Sequence, residues 1–377
     1  MNHADDLSGC LVTRPTGRTR RVSCVSVSGA VNGAVWTEHN GRAGGVVRRD
    51  VVVIGGSAGG LQALQQVVAR LPADLEASVL VVLHLSPSAP SRLAEILTKA
   101  GPLPAAPAVD GRPMGFGCIT TAVPDRHLLI GEHDVVRLSR GPRENRVRPA
   151  VDPLFRAAAR WCGPRVIGVV LSGTLDDGAA GLAAIAQCGG ATLVQQPADA
   201  RFDGMPSAAL TAVPDATAMP ATQLARAITD LVGQPVHPVA GGPPEGLIWE
   251  TDMSEQAYST APQAGQPVGL GCPECGGGFN AVHTGNAVHY VCHAGHSYSP
   301  RTLLAARDDG IEAALWTALS AMQEKAMVLQ EMAARAHQAG DHGEHRRHRA
   351  AAEQVSHAAD LFREHILTDD RSAGTRP

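Results

Sequence analysis

Between residues 50 and 232, short runs of β-branched apolar residues alternate with segments whose apolar positions recur at helical spacing. The runs predict strands and the spaced segments predict helices. This alternation indicates an α/β fold, a doubly wound, Rossmann-like parallel sheet with right-handed crossovers. We expect strands at 51–55, 78–84, 166–171 and 191–195, and helices at 61–70, 91–100, 153–161 and 179–187.

The flanking segments show other patterns. Residues 1–48 are rich in Gly, Ser, Thr and Arg without sustained periodicity, and we expect a flexible leader. Residues 117–138 have the pattern of a hairpin pair inserted in or flanking the sheet. Residues 233–270 shift to Pro, Gly, Gln and Ser, which predicts a linker after a domain at 49–232.

The C-terminal part, residues 308–367, predicts helices. Its apolar residues step by alternating four and three, as in a coiled-coil seam, and the GDHG sequence at 340–343 interrupts them. An antiparallel helical hairpin follows from this pattern, with a seam that either packs internally or forms a docking or dimer face. The seam consists of Leu315, Leu319, Met322, Ala326, Leu329 and Ala333, and is continued by Ala351, Val355, Ala358 and Phe362.

A cluster of metal-binding residue types lies between the linker and these helices. Cys272 and Cys275 form a C-x₂-C knuckle, and a C-x₃-H motif places Cys292 and His296 downstream. Two thiolates on one tight turn, completed by a second ligand pair, are typical of a tetrahedral zinc site. His289 and His293 are alternative fourth ligands.

The segment that carries this cluster, residues 271–300, is too small to bury a large core. A structural zinc ion would supply folding energy that its apolar residues lack. We therefore expect a zinc-ribbon-like segment with zinc, or a metal-free relic of one. Four protein ligands leave no open coordination position, so we expect this metal to take no part in catalysis. We also expect no other cofactor for catalysis.

Composition narrows the functional classes. The chain has 377 residues, a net charge of −4 and 18% charged residues, which give no reason to expect nucleic acid or an anionic membrane as a partner. Its longest apolar runs are strand-sized, far below the roughly 20 residues that span a bilayer. We expect a cytoplasmic protein without membrane insertion.

The stretch VVVIGGSAGG at residues 51–60 joins the first predicted strand to the first predicted helix. A dinucleotide fingerprint would place a second glycine where Ser57 stands, and a P-loop would need Lys after the last glycine. Gly55, Ser57 and Gly59 instead fit G-x-S-x-G, which holds a nucleophilic serine on a strand-to-helix turn. An incidental serine in a glycine-rich turn is the alternative interpretation.

Two other predicted strands end in residues that would complete a catalytic site. His84 ends the second strand and is well placed to accept a hydroxyl proton. The strand at 166–171 leads into Asp176 and Asp177, and one of these carboxylates can orient the imidazole while the other caps a helix or faces solvent. Three catalytic residue types at three strand ends strengthen the interpretation of Ser57 as a nucleophile.

Residues 50–232 resemble the catalytic domain of the CheB family of protein-glutamate methylesterases. The resemblance rests on six motifs in the same order, VVVIGGSAGG, VVLHLSP, GCITTAVPDRHLLI, RPAVDPLF, LSGTLDDGAAG and QQPADARFDGMPSAA. It implies hydrolysis of glutamyl methyl esters on methyl-accepting chemoreceptors, and in many members deamidation of receptor glutamines. It also implies that the nucleophile is Ser57, the base His84 and the triad carboxylate Asp177.

The motifs depart from the family pattern at three positions. Ala58 replaces a common threonine, and Thr174 and Leu175 replace the methionine and glycine of a G-M-G sequence. The family's oxyanion site would then use amides of Gly56, Ala58, Gly59 and Thr174. The leader is too short for the family's receiver domain, so we expect no phosphorylation control within this chain.

Two other functions remain open at this point. A decayed site would leave a signalling adaptor that acts through the zinc-ribbon-like segment and the helices, and Leu175 favours this weakly. A nucleotide-binding regulator would use the glycine-rich turn, against which the missing second glycine argues.

Overall fold

The computed structural model describes residues 46–86, 90–255 and 263–373, with side chains up to residue 364. The expected leader lies outside the described residues apart from 46–48. The elements of the first domain, in chain order, are β1 (Val51–Gly56), α1 (Gly60–Val68), β2 (Ser78–Leu83), α2 (Leu93–Ala100), β3 (Ala105–Pro107), β4 (Cys118–Thr121), β5 (His127–Gly131), β6 (Val135–Ser139), α3 (Val151–Cys162), β7 (Val166–Val170), α4 (Ala179–Gln187), β8 (Ala191–Gln195), α5 (Gly204–Ala212), β9 (Thr217–Met219) and α6 (Ala221–Leu231).

Seven of these strands form one sheet in the order β3-β4-β2-β1-β7-β8-β9, and every neighbouring pair is parallel. The side chains of β1 alternate between two cores. Val51 and Val53 pack with α3 and α4, whereas Val52 and Ile54 pack with α1 and α6. A sheet covered on both faces explains the continuous apolar runs of its central strands. The predicted α/β fold is confirmed.

The strand order reverses at β1. The chain runs from β1 outward through β2, and later returns on the other side of β1 through β7. In doubly wound sheets, ligands bind at the C-terminal ends of the strands beside such a switch point. The residues after β1, β2 and β7 therefore lie where a site is expected.

The segment 117–138 differs from its prediction. β4 belongs to the main sheet, parallel to both β2 and β3, while β5 and β6 alone form an antiparallel hairpin. The prediction of a hairpin pair is therefore wrong for β4. β4 lies near the edge of the sheet, and its sequence CITT is accordingly short and half polar. This alternation of apolar and polar residues is equally typical of a hairpin strand.

The expected linker contains a packed helix, α7 (Glu245–Glu255). This helix lies on α3, and Arg160 donates hydrogen bonds to Thr251 and Asp252 of α7 over 2.5 and 2.6 Å. The buried face of α7 is largely polar, since Glu250, Thr251, Asp252 and Ser254 are all buried. The spacing of apolar residues does not indicate such a helix, because ion pairs rather than apolar contacts stabilise much of its buried face.

A second, antiparallel sheet follows, made of β10 (Gln266–Gly271), β11 (Gly278–Thr284), β12 (Ala287–Cys292) and β13 (Ser297–Tyr298). β10 lies within the expected linker, which is thus structured at both of these places. Residues 266–298 and the first turns of the next helix share a small core that includes Phe279, Tyr298 and Leu303.

Two long helices end the described chain, α8 (Pro300–Gln338) and α9 (His342–Ala373). α8 begins eight residues before the predicted start, with Ser299 as its N-cap and Pro300 in its first turn, and those residue types mark helix starts. The seam packs internally, where Leu319 contacts Ala359 and Phe362 in one cluster.

On α9, the alanines of the seam lie one position after their prediction, whereas Phe362 packs in the seam as predicted. Ala352 and Ala359 are buried, whereas Ala351 is half-buried and Ala358 is exposed. Neighbouring alanines in this helix make the apolar period ambiguous. None of the helices within the described residues combines the length and apolar character that crossing a membrane requires.

Candidate active site

Ser57, His84 and Asp177 meet at the C-terminal edge of the parallel sheet. Ser57 follows β1, His84 follows β2 and Asp177 follows β7. The Ser57 hydroxyl oxygen lies 2.8 Å from Nδ1 of His84, and Nε2 of His84 lies 2.7 Å from a carboxylate oxygen of Asp177. The structure therefore brings the three predicted residues into one hydrogen-bonded chain.

Ser57 stands on a tight turn between β1 and α1. Its backbone N–H donates to the carbonyl of Ser172 at the end of β7, over 2.9 Å, and its carbonyl accepts from Gly60 over 2.9 Å. Gly59 has a φ of 72°, and a Cβ there would lie 2.7 Å from the Ser172 hydroxyl. Glycine is needed at this position both for its backbone conformation and for close packing.

The orientation of His84 determines the direction of proton transfer. With its proton on Nε2, the ring donates to Asp177 and leaves Nδ1 free to accept the Ser57 proton. The His84 side chain is 21% exposed, whereas that of Asp177 is 2% exposed. The arrangement is open to solvent on the serine side and closed on the carboxylate side.

The first turn of α3 holds the Asp177 carboxylate. The backbone N–H groups of Val151 and Asp152 donate to its two oxygens over 2.7 and 3.2 Å. Burial alone would raise the pKa of Asp177, but the hydrogen bond and charge of His84, with hydrogen bonds from Val151 and Asn145, lower it to about 2. Asp177 is therefore ionised at neutral pH and can stabilise an imidazolium.

Asn145 and Asp152 are two neighbours of the triad that sequence reasoning missed. The Asn145 side-chain amide donates to Asp177 over 3.0 Å and to Asp152 over 3.1 Å. Burial and the adjacent charge of Asp177 raise the pKa of Asp152. The positive φ of Asn145, 51°, agrees with the tolerance of Asn for left-handed backbone, but nothing in the sequence connects this loop to Asp177.

The position of Asp176 contradicts the expectation that the second carboxylate caps a helix or faces solvent. Asp176 neither caps α4 through its side chain nor faces solvent; it is buried and accepts a hydrogen bond from the Ser299 hydroxyl. Burial raises its pKa, and the Ser299 hydrogen bond opposes that rise. The two consecutive carboxylates thus face different partners, His84 for one and the C-terminal segment for the other.

The loop after β7 passes directly beside Ser57. A Cβ at Gly173 would lie 2.9 Å from the Ser57 Cβ, and the Gly173 carbonyl accepts from the Met205 amide over 2.9 Å. Thr174 is exposed, and Leu175 has a φ of 62°, a conformation that favours glycine. Leu175 thus has the backbone conformation that suits the glycine it replaces in the family pattern.

The predicted oxyanion residues surround the turn. Gly56 ends β1, and Ala58 and Gly59 lead into α1, whose first N–H groups lack partners within the helix. The Ser57 amide is already bonded to Ser172, so a developing oxyanion would use other amides of the turn. Their role stays a prediction, together with that of Thr174.

The predicted metal ligands also lie together. One ligand atom from each of Cys272, Cys275, Cys292 and His296 falls within 4.8 Å of all the others. The alternative ligands lie elsewhere, since His289 is buried against Glu250 and the His293 ring covers Gly277. The four residues form a candidate metal site apart from the triad.

Comparisons with known proteins match the first domain to a known family. The family model described as CheB methylesterase matches residues 52–228. A protein-glutamate methylesterase/protein-glutamine glutaminase of Anaeromyxobacter dehalogenans is 40% identical over 49% of this chain and 54% of its own length. Another, from Symbiobacterium thermophilum, is 36% identical over 49% of this chain and 51% of its own length. The chain spans about half the length of the curated relatives it matches.

The crystal structure of the Thermotoga maritima CheB methylesterase catalytic domain aligns with 49% of this chain and all of its own, at 29% identity and a TM-score of 0.47. The family match spans β1, β2 and β7, and so contains Ser57, His84 and Asp177. Residues 52–228 of this chain are therefore a CheB methylesterase domain.

Proposed function

We propose that this protein hydrolyses glutamyl methyl esters on a methyl-accepting chemoreceptor, with release of methanol. One observation carries the proposal, the hydrogen-bonded chain from Ser57 through His84 to Asp177 inside a methylesterase domain. Relatives that are 35 to 40% identical bear the name protein-glutamate methylesterase/protein-glutamine glutaminase, which supports the substrate class.

The reaction is acyl transfer through a serine nucleophile. His84 takes the Ser57 proton at Nδ1 while Asp177 holds Nε2–H, and Ser57 attacks the ester carbonyl. Amides of Gly56, Ala58, Gly59 and Thr174 stabilise the oxyanion. His84 gives the proton to the departing methoxy oxygen, which leaves as methanol, and then activates a water molecule that hydrolyses the glutamyl ester of Ser57.

Deamidation of receptor glutamine would use the same residues, with ammonia as the leaving group. The acyl intermediate is identical for a glutamyl ester and a glutaminyl amide, so the two reactions differ only in the group that His84 protonates. Ammonia release from unmethylated receptor, measured beside methanol release from methylated receptor, separates the two activities.

A serine-directed phosphonate tests the nucleophile without a receptor. We expect one label per chain, located at Ser57 by peptide mapping, and none in Ser57→Ala. A folded wild-type protein that never labels at Ser57 would contradict the proposal and would support a decayed site with an adaptor role.

A further inference from the structure

The four candidate ligands have the spacing of a closed tetrahedral site. The sulfur atoms of Cys275 and Cys292 lie 3.6 Å apart, and the Cys292 sulfur lies 3.6 Å from Nδ1 of His296. Zinc–sulfur bonds of about 2.3 Å imply sulfur–sulfur edges of about 3.8 Å in a tetrahedron. A disulfide between Cys275 and Cys292 would need sulfurs about 2.05 Å apart, so this spacing favours a shared metal ion over a covalent bond.

The surroundings of the four ligands also suit a metal. Nε2 of His296 lies 3.4 Å from the Glu274 carboxylate, which also accepts from the Tyr298 hydroxyl over 2.9 Å. A ligating histidine that turns its second nitrogen to a carboxylate is the usual arrangement around zinc.

The segment that contains the ligands needs a stabilising element. Apart from Cys272 and Cys292 themselves, its buried core consists of Phe279, Tyr298, Leu303 and Ala306. A core of this size supplies little hydrophobic stabilisation, and metal binding commonly provides the remainder in such small units.

The last ligand is directly followed by residues that hold Asn145. The backbone N–H of Asn145 donates to the backbone carbonyl of Ser297 over 2.8 Å. The Asn145 side-chain oxygen accepts from the Ser299 amide and from the Thr302 hydroxyl, each over 2.9 Å. Ser297, Ser299 and Thr302 are all buried, so these bonds are shielded from water.

Asn145 thus connects two parts of the molecule through one side chain. Its oxygen faces the residues that follow His296, and its nitrogen donates to Asp177. The connection is reinforced nearby, where Glu250 of α7 binds His289 of β12 and lies 3.7 Å from Arg156 of α3. Through Glu250 of α7, the metal-binding segment is thus connected to the helix whose first turn holds Asp177.

We propose that Cys272, Cys275, Cys292 and His296 bind one structural zinc ion, and that the segment folded by this ion fixes Asn145 as a positioning residue for Asp177. The second half of the inference rests on the proposed function, since it assigns a role in the triad. The ion takes no part in bond making, because four protein ligands close its coordination sphere.

Elemental analysis of the purified full chain tests the ion. We expect about one zinc per chain in the wild type, a loss of zinc in Cys275→Ser, and retention in Cys118→Ser, a cysteine outside the cluster. Iron in place of zinc, no metal at all, or a Cys275–Cys292 disulfide found by mass spectrometry would each overturn the site.

The rate of Ser57 labelling by a phosphonate tests the connection to the triad. Hydrogen bonds to a charged group contribute enough that Asn145→Gly should slow labelling by roughly 10- to 100-fold. Glycine tolerates the positive φ of this position, so the variant removes the side chain without straining the backbone. Cys275→Ser should also slow the labelling of Ser57.

Thr302 provides a matched pair of milder variants. Thr302→Val keeps the shape but removes the donor to Asn145, and Thr302→Ser keeps the donor. We expect Thr302→Val to lower the kcat of methanol release while KM is unchanged and zinc is retained. Thr302→Ser should behave as the wild type. Equal kcat in the two variants, or unchanged labelling in zinc-free and Asn145→Gly protein, would overturn the connection.

These measurements separate this inference from the proposed substrate. Phosphonate labelling needs the triad but no glutamyl ester. A protein that labels in a zinc- and Asn145-dependent way but releases no methanol would uphold the inference and refute the substrate. Methanol release that depends on neither zinc nor Asn145 would uphold the substrate and refute the inference.

Discussion

The carboxylate of Asp177 lies 2.7 Å from Nε2 of His84, although 93 residues separate the two in the chain. The parallel sheet produces this contact, because β2 and β7 flank β1 and end at the same edge. The first turn of α3 then fixes the carboxylate through two backbone amides. The geometry of the proposed catalytic residues follows from strand order and one helix start.

The consecutive carboxylates should differ sharply in their contribution to catalysis. Asp177→Asn removes the charge that holds the His84 tautomer, and triads lose about 10⁴-fold in kcat on this change. Asp176→Asn keeps an acceptor for Ser299 and should cost less than about tenfold. Methanol-release kinetics on both variants would show the difference, and similar losses in the two would refute the assignment of Asp177.

Asp177 should also make stability depend on pH. Its folded pKa of about 2 lies below the unfolded value of 3.8, so its ionised form stabilises the fold above pH 3.8, and this contribution is lost as the pH falls through about 2. The contribution is about 2 kcal/mol in the free energy of unfolding. The stability difference between wild type and Asp177→Asn, from urea unfolding between pH 6 and 3, should therefore shrink towards low pH. A difference that grows would contradict the assigned pKa direction.

Leu175 should respond to substitution through its backbone. At a φ of 62°, a side chain costs about 1 kcal/mol relative to glycine. Leu175→Gly should therefore be more stable than Leu175→Ala by about this amount, since both remove the same leucine and only one relieves the strain. Thermal unfolding of the pair measures it. An alanine variant at least as stable as the glycine variant would mean that the loop relaxes to another conformation.

Buried charges that join α3 to the loop before it and to α7 should be costly to break. Arg156 pairs with Glu144 and lies 3.7 Å from Glu250, and all three are buried. Arg156→Met leaves Glu144 without its cation and Glu250 with only His289, and should lower the free energy of unfolding by about 3–5 kcal/mol. Arg226→Met, in an exposed pair with Asp230, should cost less than about 1 kcal/mol. Equal losses in urea unfolding would exclude a buried network.

The central sheet and the triad could be predicted because their signals are local. β1 is marked by four consecutive apolar residues and a glycine turn. His84 and Asp177 each follow a strand. The helix α7 and strand β4 could not be predicted in the same way. α7 buries a polar face against the arginines of α3, and its apolar pattern is correspondingly weak.

The roles of Asn145 and Asp176 depend on long-range contacts. Each meets a residue more than 120 positions away, Ser299 in both cases. No spacing rule connects such positions, because the tertiary fold alone brings them together. The ligand set of the candidate metal site was found from its spacing, yet its proximity to the loop that holds Asp177 was not.

Methanol release from methyl-labelled chemoreceptor membranes tests the central claim most directly. We expect release by the wild type and by Ser320→Ala, an exposed serine of α8, and a loss on the order of 10⁴-fold or more in Ser57→Ala. Circular dichroism should show the same fold in all three. Activity of Ser57→Ala within about tenfold of the wild type would contradict the assignment of Ser57 as the nucleophile of a methylesterase.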